Sequence, residues 1–134
     1  MKRFVAVTLS CCLLLGLCAC GVVRLSANAQ GIVTYHNEYT GVSFSERLTK
    51  QEVETVVGIL NGKKQESAVF SGVPSCGFNP DTSITIDSVT FALALDKCGV
   101  LQNCSTMQYI YISDAERETI ETIFTSRGGS FPCV

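Results

Sequence analysis

The chain has 134 residues, with 10 basic and 12 acidic side chains, one histidine and eight cysteines. That length holds one small domain and not two. A net charge of −2 without a basic run excludes the electrostatic footprint of a nucleic-acid binder and offers no polybasic patch to anionic lipid headgroups.

The amino terminus reads as a targeting segment. Lys2 and Arg3 form a cationic tip, and the run from Phe4 to Val23 is apolar, with no charge before Arg24. Three outcomes are open. Leu17-Cys18-Ala19-Cys20 has the form of a lipobox, with cleavage before Cys20 and lipid attached to that cysteine. About 14 apolar residues precede the cut, within the usual length of such a core. Ala27-Asn28-Ala29 is a small-x-small site, and cleavage after Ala29 would release a secreted chain that starts at Gln30. Left uncut, the apolar run has about the 20 residues a membrane-spanning signal anchor needs. All three place the domain outside the cytoplasm. The expected localisation is lipid-anchored, on the extracytoplasmic face of the cell membrane. Loss of Lys2 and Arg3 leaves 8 basic residues against 12 acidic ones. Residues 21–37 are small, polar and weakly patterned, as expected of a flexible tether, and residues 38–134 read as a single α+β domain.

Within that domain, Tyr39–Phe44 alternates loosely, as a short strand would. Thr49-Lys50-Gln51-Glu52 is a capping box, and Val53, Val56, Val57 and Leu60 behind it share one helical face. Asn61-Gly62 stops that helix, which spans Lys50–Leu60. Ala68–Ser71 reads as an edge strand. Ser83–Ile86 and Val89–Leu95 flank Asp87-Ser88 as the arms of a tight hairpin. Met107–Ile112 is a further strand, with Met107, Tyr109 and Tyr111 on one face and Ile110 and Ile112 on the other. The tyrosine face is expected to pack under a helix. A second capping box, Ser113 to Glu116, opens a helix with Ile120, Ile123 and Phe124 as its apolar stripe, ended by Gly128-Gly129. The expected architecture is α+β: a small antiparallel sheet of three to four strands with two helices packed on one face.

That topology gathers four cysteines at one end of the sheet. Cys76 precedes the hairpin, Cys98 follows it, Cys104 precedes the next strand and Cys133 follows the last helix. Outside the cytoplasm, four cysteines in a small domain read as two disulfides, with Cys98–Cys104 and Cys76–Cys133 the favoured pairs. The alternative is a metal site made of Cys76, Cys98, Cys104 and Cys133, or a set of thiols that cycles with disulfides.

No catalytic constellation stands out. His36 is the only histidine and reads as a solvated residue at the domain edge. Asp81 and Asp87 suit turns. Asn79, Asp81, Ser83, Thr85 and Asp87 mimic a calcium loop, but Ile84 stands where a glycine is needed and Thr90 where a glutamate is needed. Asn103-Cys104-Ser105 is formally a glycosylation sequon.

The cationic tip and Leu17–Cys20 resemble the leaders of bacterial surface lipoproteins of the Gram-positive kind. The resemblance covers about the first 20 residues; the rest looks like the small uncharacterised domains that follow such leaders. It implies a bacterial envelope module held in the membrane by an N-terminal lipid or signal anchor, with an unknown protein partner, and carries over no activity, cofactor or catalytic residue. The function expected is a non-enzymatic interaction or structural domain, the alternative a cysteine-cluster metal-binding or thiol-redox protein.

Overall fold

The computed structural model describes residues 21–67, 77–96 and 98–131. Strands β1 (Gly31–Asn37) and β2 (Val42–Arg47) lead into helix α1 (Lys50–Leu60). Strands β3 (Phe78–Ile86), β4 (Val89–Ala94), β5 (Val100–Asn103) and β6 (Gln108–Tyr111) follow, and helix α2 (Asp114–Thr125) closes the fold. The α+β class holds, but the sheet has six strands rather than three to four, in the order β2-β1-β3-β4-β5-β6, with every neighbouring pair antiparallel. The expected edge strand at Ala68–Ser71 lies outside the described residues.

The stretch taken for a flexible tether overturns the strand count most directly. Its last seven residues are β1, which pairs with both β2 and β3. Its first residues dock as well. Gly21 O accepts from Gln65 N at 2.6 Å, Val23 N donates to Lys63 O at 2.9 Å, and Gly62 N donates to Val23 O at 3.1 Å. The Asn61 side chain takes both backbone groups of Leu25, accepting from its N–H at 2.6 Å and donating to its C=O at 2.9 Å. Val23 and Leu25 are thereby buried in the core.

Both capping boxes form as their spacing predicts. Thr49 Oγ1 accepts from Glu52 N at 3.2 Å while Glu52 Oε2 accepts from Thr49 N at 2.7 Å. Ser113 and Glu116 repeat the exchange at 3.2 and 2.8 Å. Helix α1 buries Val53, Val56, Val57 and Leu60, and α2 buries Ile120, Ile123 and Phe124. These meet Val33, Ile84, Ile86, Phe91, Leu93, Leu101 and Ile110 of the sheet in one core, where each fully buried side chain contributes about 1.5–3 kcal/mol. The β3–β4 hairpin turns at Asp87 and Ser88, at φ +51° and +66°, the left-handed pair that a two-residue turn needs to match the strand twist.

The opposite sheet face carries a smaller cluster of Phe78, Ala94, Val100 and Tyr109. Tyr109 and Tyr111 do share a face, but it is this one and not the face under the helices. Tyr109 stacks on Phe78 at 5.4 Å, and Tyr111 is half exposed. Met107 lies outside β6, in the turn before it, at φ +57°. The rest of this face is rich in hydroxyls, including Thr34 with Ser45 at 3.2 Å and Thr85 with Thr90 at 2.9 Å.

An ion cluster ties both helices to the edge strand. Arg127 donates to Glu52 through two nitrogens at 2.8 and 2.9 Å, to Glu46 Oε2 at 3.1 Å and to Ile123 O at 2.7 Å. The paired hydrogen bonds from Arg127 hold the Glu52 carboxyl down to about 2, against the opposing push of burial, with Thr49 N adding a third donor. Because the folded value lies below the unfolded one, the stabilisation is complete above about pH 4.5 and is withdrawn as pH falls towards 2. Glu52→Gln keeps the capping geometry, since glutamine also closes a capping box, but removes the charge and one of the two acceptor oxygens that face Arg127. The variant is expected to be about 1–3 kcal/mol less stable near neutrality, discounted for partial solvent screening. That difference should vanish by about pH 2, as read by urea denaturation across the range; a difference that stayed constant with pH would refute the assignment.

Candidate functional site

Cys20, Cys76 and Cys133 lie outside the described residues, and the other two cysteines do not converge. Cys104 N donates to Thr90 O at 2.9 Å, near the start of β4. Beyond the far end of that strand, Arg117 donates to both Ala94 O and Cys98 O. Four residues of strand, about 13 Å, separate the two levels, beyond the roughly 7 Å between Cα atoms that a disulfide spans. The described backbone therefore does not bring Cys98 and Cys104, the favoured pair, together. The cause is β5, which runs from one cysteine towards the other and which the spacing gave no reason to expect. Cys104 is instead a half-buried thiol facing Gln102 O at 3.8 Å. Among the described residues no group of three His, Cys, Asp or Glu side chains is placed to hold a metal ion.

The site that does form is a cleft of about 280 Å³ at the end of the sheet marked by the β1–β2 turn. Four pieces of chain build it. Tyr35, His36 and Asn37 come from the end of β1, and Glu38 and Tyr39 from the turn. Asn79, Asp81 and Thr82 come from an irregular stretch of β3, where the register slips between Phe78 opposite Ala94 and Ser83 opposite Ala92. The slip places five residue steps of β3 against two of β4 and lets the chain bow outward. Pro80, which has no N–H to give to a ladder, sits in that bow. Leu95, Ser130 and Phe131 complete the lining.

The back wall is rigid because its polar groups are committed to one another. Tyr35 donates its hydroxyl to Ser130 O at 2.7 Å and accepts from Ser130 N at 3.0 Å and Asn37 Nδ2 at 3.2 Å. Burial pushes the Tyr35 phenol up, but these bonds outweigh it and leave the group below its usual value. The Tyr35 ring stacks on Phe44 at 5.3 Å and meets Phe124 and Phe131 edge-on, each at 6.4 Å. Asn37 Oδ1 accepts from Tyr39 N at 2.9 Å and Thr40 N at 3.2 Å, which shapes the turn. Asn79 Oδ1 accepts from Asp81 N at 2.9 Å and shapes the bow.

His36 is therefore an exposed strand residue at the rim of the cleft, not a residue of a solvated tether. The calcium-like run is pulled apart by its own strand, with Asn79 near one end of β3, Ile84 in the core and Asp87 beyond the other end. Sequence reasoning missed the cleft as a unit. Its faint signals were the aromatic-polar run Tyr35–Tyr39 and the turn-forming Asn79-Pro80-Asp81 just before a strand.

The cleft and the docked N-terminal residues occupy opposite ends of the sheet. Val22, Val23 and Leu25 gather beside Val89, at the start of β4, and Asn103, at the close of β5. Leu95 of the cleft follows the last residue of β4. A six-residue strand, about 20 Å, lies between them. No helix of the described residues is long and apolar enough to cross a membrane. Comparison with protein-family models, with curated proteins and with solved structures finds no match to this chain.

Proposed function

We propose that this chain is a non-enzymatic binding module of the bacterial cell envelope, held to the outer face of the membrane through Cys20, with its cleft turned away from the bilayer. The observation that carries this reading is the docking of Gly21–Leu25 at the sheet end opposite the cleft. A lipid on Cys20 would reach a folded domain within one residue, with no slack between them. The domain's orientation would then follow from its anchor, and one acyl-bearing residue would fix which end meets solvent. The same observation favours cleavage before Cys20 over cleavage after Ala29, which would strip Val23 and Leu25 from the core.

The chemistry of the cleft supports binding rather than catalysis. The Tyr35 hydroxyl and the Asn37 and Asn79 amide oxygens are occupied in holding the wall and turns.

The deciding measurement is the intact mass of the natively exported protein, denatured with a thiol alkylator and no reductant. The expected mass is that of a chain starting at a lipid-modified Cys20. A free amino terminus at Gln30 would overturn the anchored reading, and an uncut Met1 would replace the lipid with a signal anchor.

A further inference from the structure

We propose that the cleft takes a small organic cation, an ammonium group carried on an apolar body. The proposal rests on the reading of this chain as a binding module and names the ligand class of that same site.

Its charge comes first. The acidic residues Glu38 and Asp81 line the cleft, and among the described residues no lysine or arginine does. Neither carboxylate takes part in the ion pairs of the described residues, which use Glu46, Glu52, Glu54, Glu116 and Glu121. The Asn79–Asp81 turn uses the Asp81 amide and leaves its carboxylate free to face a ligand.

Thr82 is a second and independent observation. The residue is 2% exposed and lines the cleft, and its hydroxyl has no hydrogen-bond partner among the described residues. No occluded side-chain polar atom of those residues lacks a partner, so this oxygen keeps some access to solvent, and the cleft is the concavity that Thr82 lines. A buried hydroxyl aimed into a cavity is a ready acceptor for an N–H donor.

Aromatic surface completes the chemistry. Tyr39 stands fully exposed at the rim, and Tyr35 and Phe131 form part of the lining. The exposed Tyr39 ring can take a cation on its face, while Tyr35, stacked on Phe44, and Phe131, with the Arg117 guanidinium 6.0 Å from its ring centre, can only cover apolar carbon. A volume of about 280 Å³ lies at the lower end of small-molecule sites, which limits the body to about the size of a single ring.

The test uses the natively exported protein, isotopically labelled and titrated with benzylammonium, benzyl alcohol and phenylacetate at constant ionic strength. Benzylammonium is expected to shift the amide signals of Asn37, Thr82 and Ser130, and to bind at least tenfold more tightly than phenylacetate. The double variant Glu38→Gln/Asp81→Asn, its spectrum otherwise unchanged, is expected to lose that preference. If phenylacetate or benzyl alcohol binds the same amides as well as benzylammonium does, the cation assignment is wrong while the cleft remains a binding site. If no probe moves those amides at millimolar concentration, the cation assignment and the binding reading both fail.

Discussion

A chain that begins at Gln30 is expected to be about 2–4 kcal/mol less stable than one that begins at Cys20. Two buried side chains leave the core with the missing residues, Val23 at 3% and Leu25 at 9% exposure. Their burial is worth about 3–6 kcal/mol together, an upper figure because unfolded chains already hide some apolar surface. The backbone bonds of Gly21 and Val23 and both Asn61 bonds to Leu25 go too. Conformational entropy regained by the released stretch offsets part of the loss. The Asn61 amide, which matched one N–H and one C=O, would have to find water instead. Urea denaturation of the two chains, followed by far-ultraviolet circular dichroism, measures the difference. A loss below about 1 kcal/mol would make the segment peripheral and remove the structural preference for cleavage before Cys20. A loss of the expected size means that an export pathway cutting after Ala29 would deliver a damaged domain.

The parts of the fold that were legible in the sequence are those decided within a few residues. Thr49 with Glu52 and Ser113 with Glu116 are local exchanges, and the stripes behind them repeat at helical spacing whatever the rest of the chain does. Asp87-Ser88 between two β-branched runs likewise settles its own turn. The missed strands lack such markers. In β1 the inward residues Gly31, Val33 and Tyr35 alternate with Ile32, Thr34 and His36, so apolar or β-branched residues fall on both faces and period two is blurred. Strand β5 is only four residues long, Val100-Leu101-Gln102-Asn103, too short to show a period. Missing β5 moved Cys104 to the wrong end of the sheet and produced a cysteine cluster that its described members do not form. The cleft was harder still to foresee. Its wall depends on Ser130 meeting Tyr35 across 95 positions, and its mouth on a register slip that no local pattern announces.

The same distribution bears on what the domain can bind. Helices α1 and α2 and five of the strands serve one core, whereas the cleft draws on a turn, a bow in β3 and the segment after α2. Connecting segments of this kind vary without disturbing the scaffold that positions them. If the cleft binds a ligand as proposed, substitution at Glu38, Tyr39 or Asp81, all exposed, would alter its preference while Tyr35 and Thr82 remain as its buried floor.

Phe124→Ala is the single substitution expected to cost most, about 3–5 kcal/mol, and it should reach the cleft without touching it. Phe124 is fully buried on α2. Its ring meets Phe131 at 5.5 Å and 86°, and Tyr35 at 6.4 Å and 61°, both edge-on. Such pairs contribute about 0.5–1.5 kcal/mol beyond their buried area. Truncation leaves a cavity between the helix and the two rings that line the cleft, and close-packed interiors relax only in part around such a gap. The Ser130 amide, held by the Tyr35 hydroxyl at 3.0 Å, reports on this directly. In the variant its hydrogen exchange should accelerate more than that of the amides in the centre of β4, because the C-terminal segment loses its aromatic anchor while the sheet keeps its ladder. Phe124→Leu, which restores most of the volume but not the ring, should recover much of the stability and little of the Ser130 protection. If leucine restores both, volume alone holds the cleft wall and the three-ring contact adds nothing specific. If alanine costs less than about 1 kcal/mol, the core under the cleft collapses to fill the gap, and the rigidity ascribed to its wall is wrong.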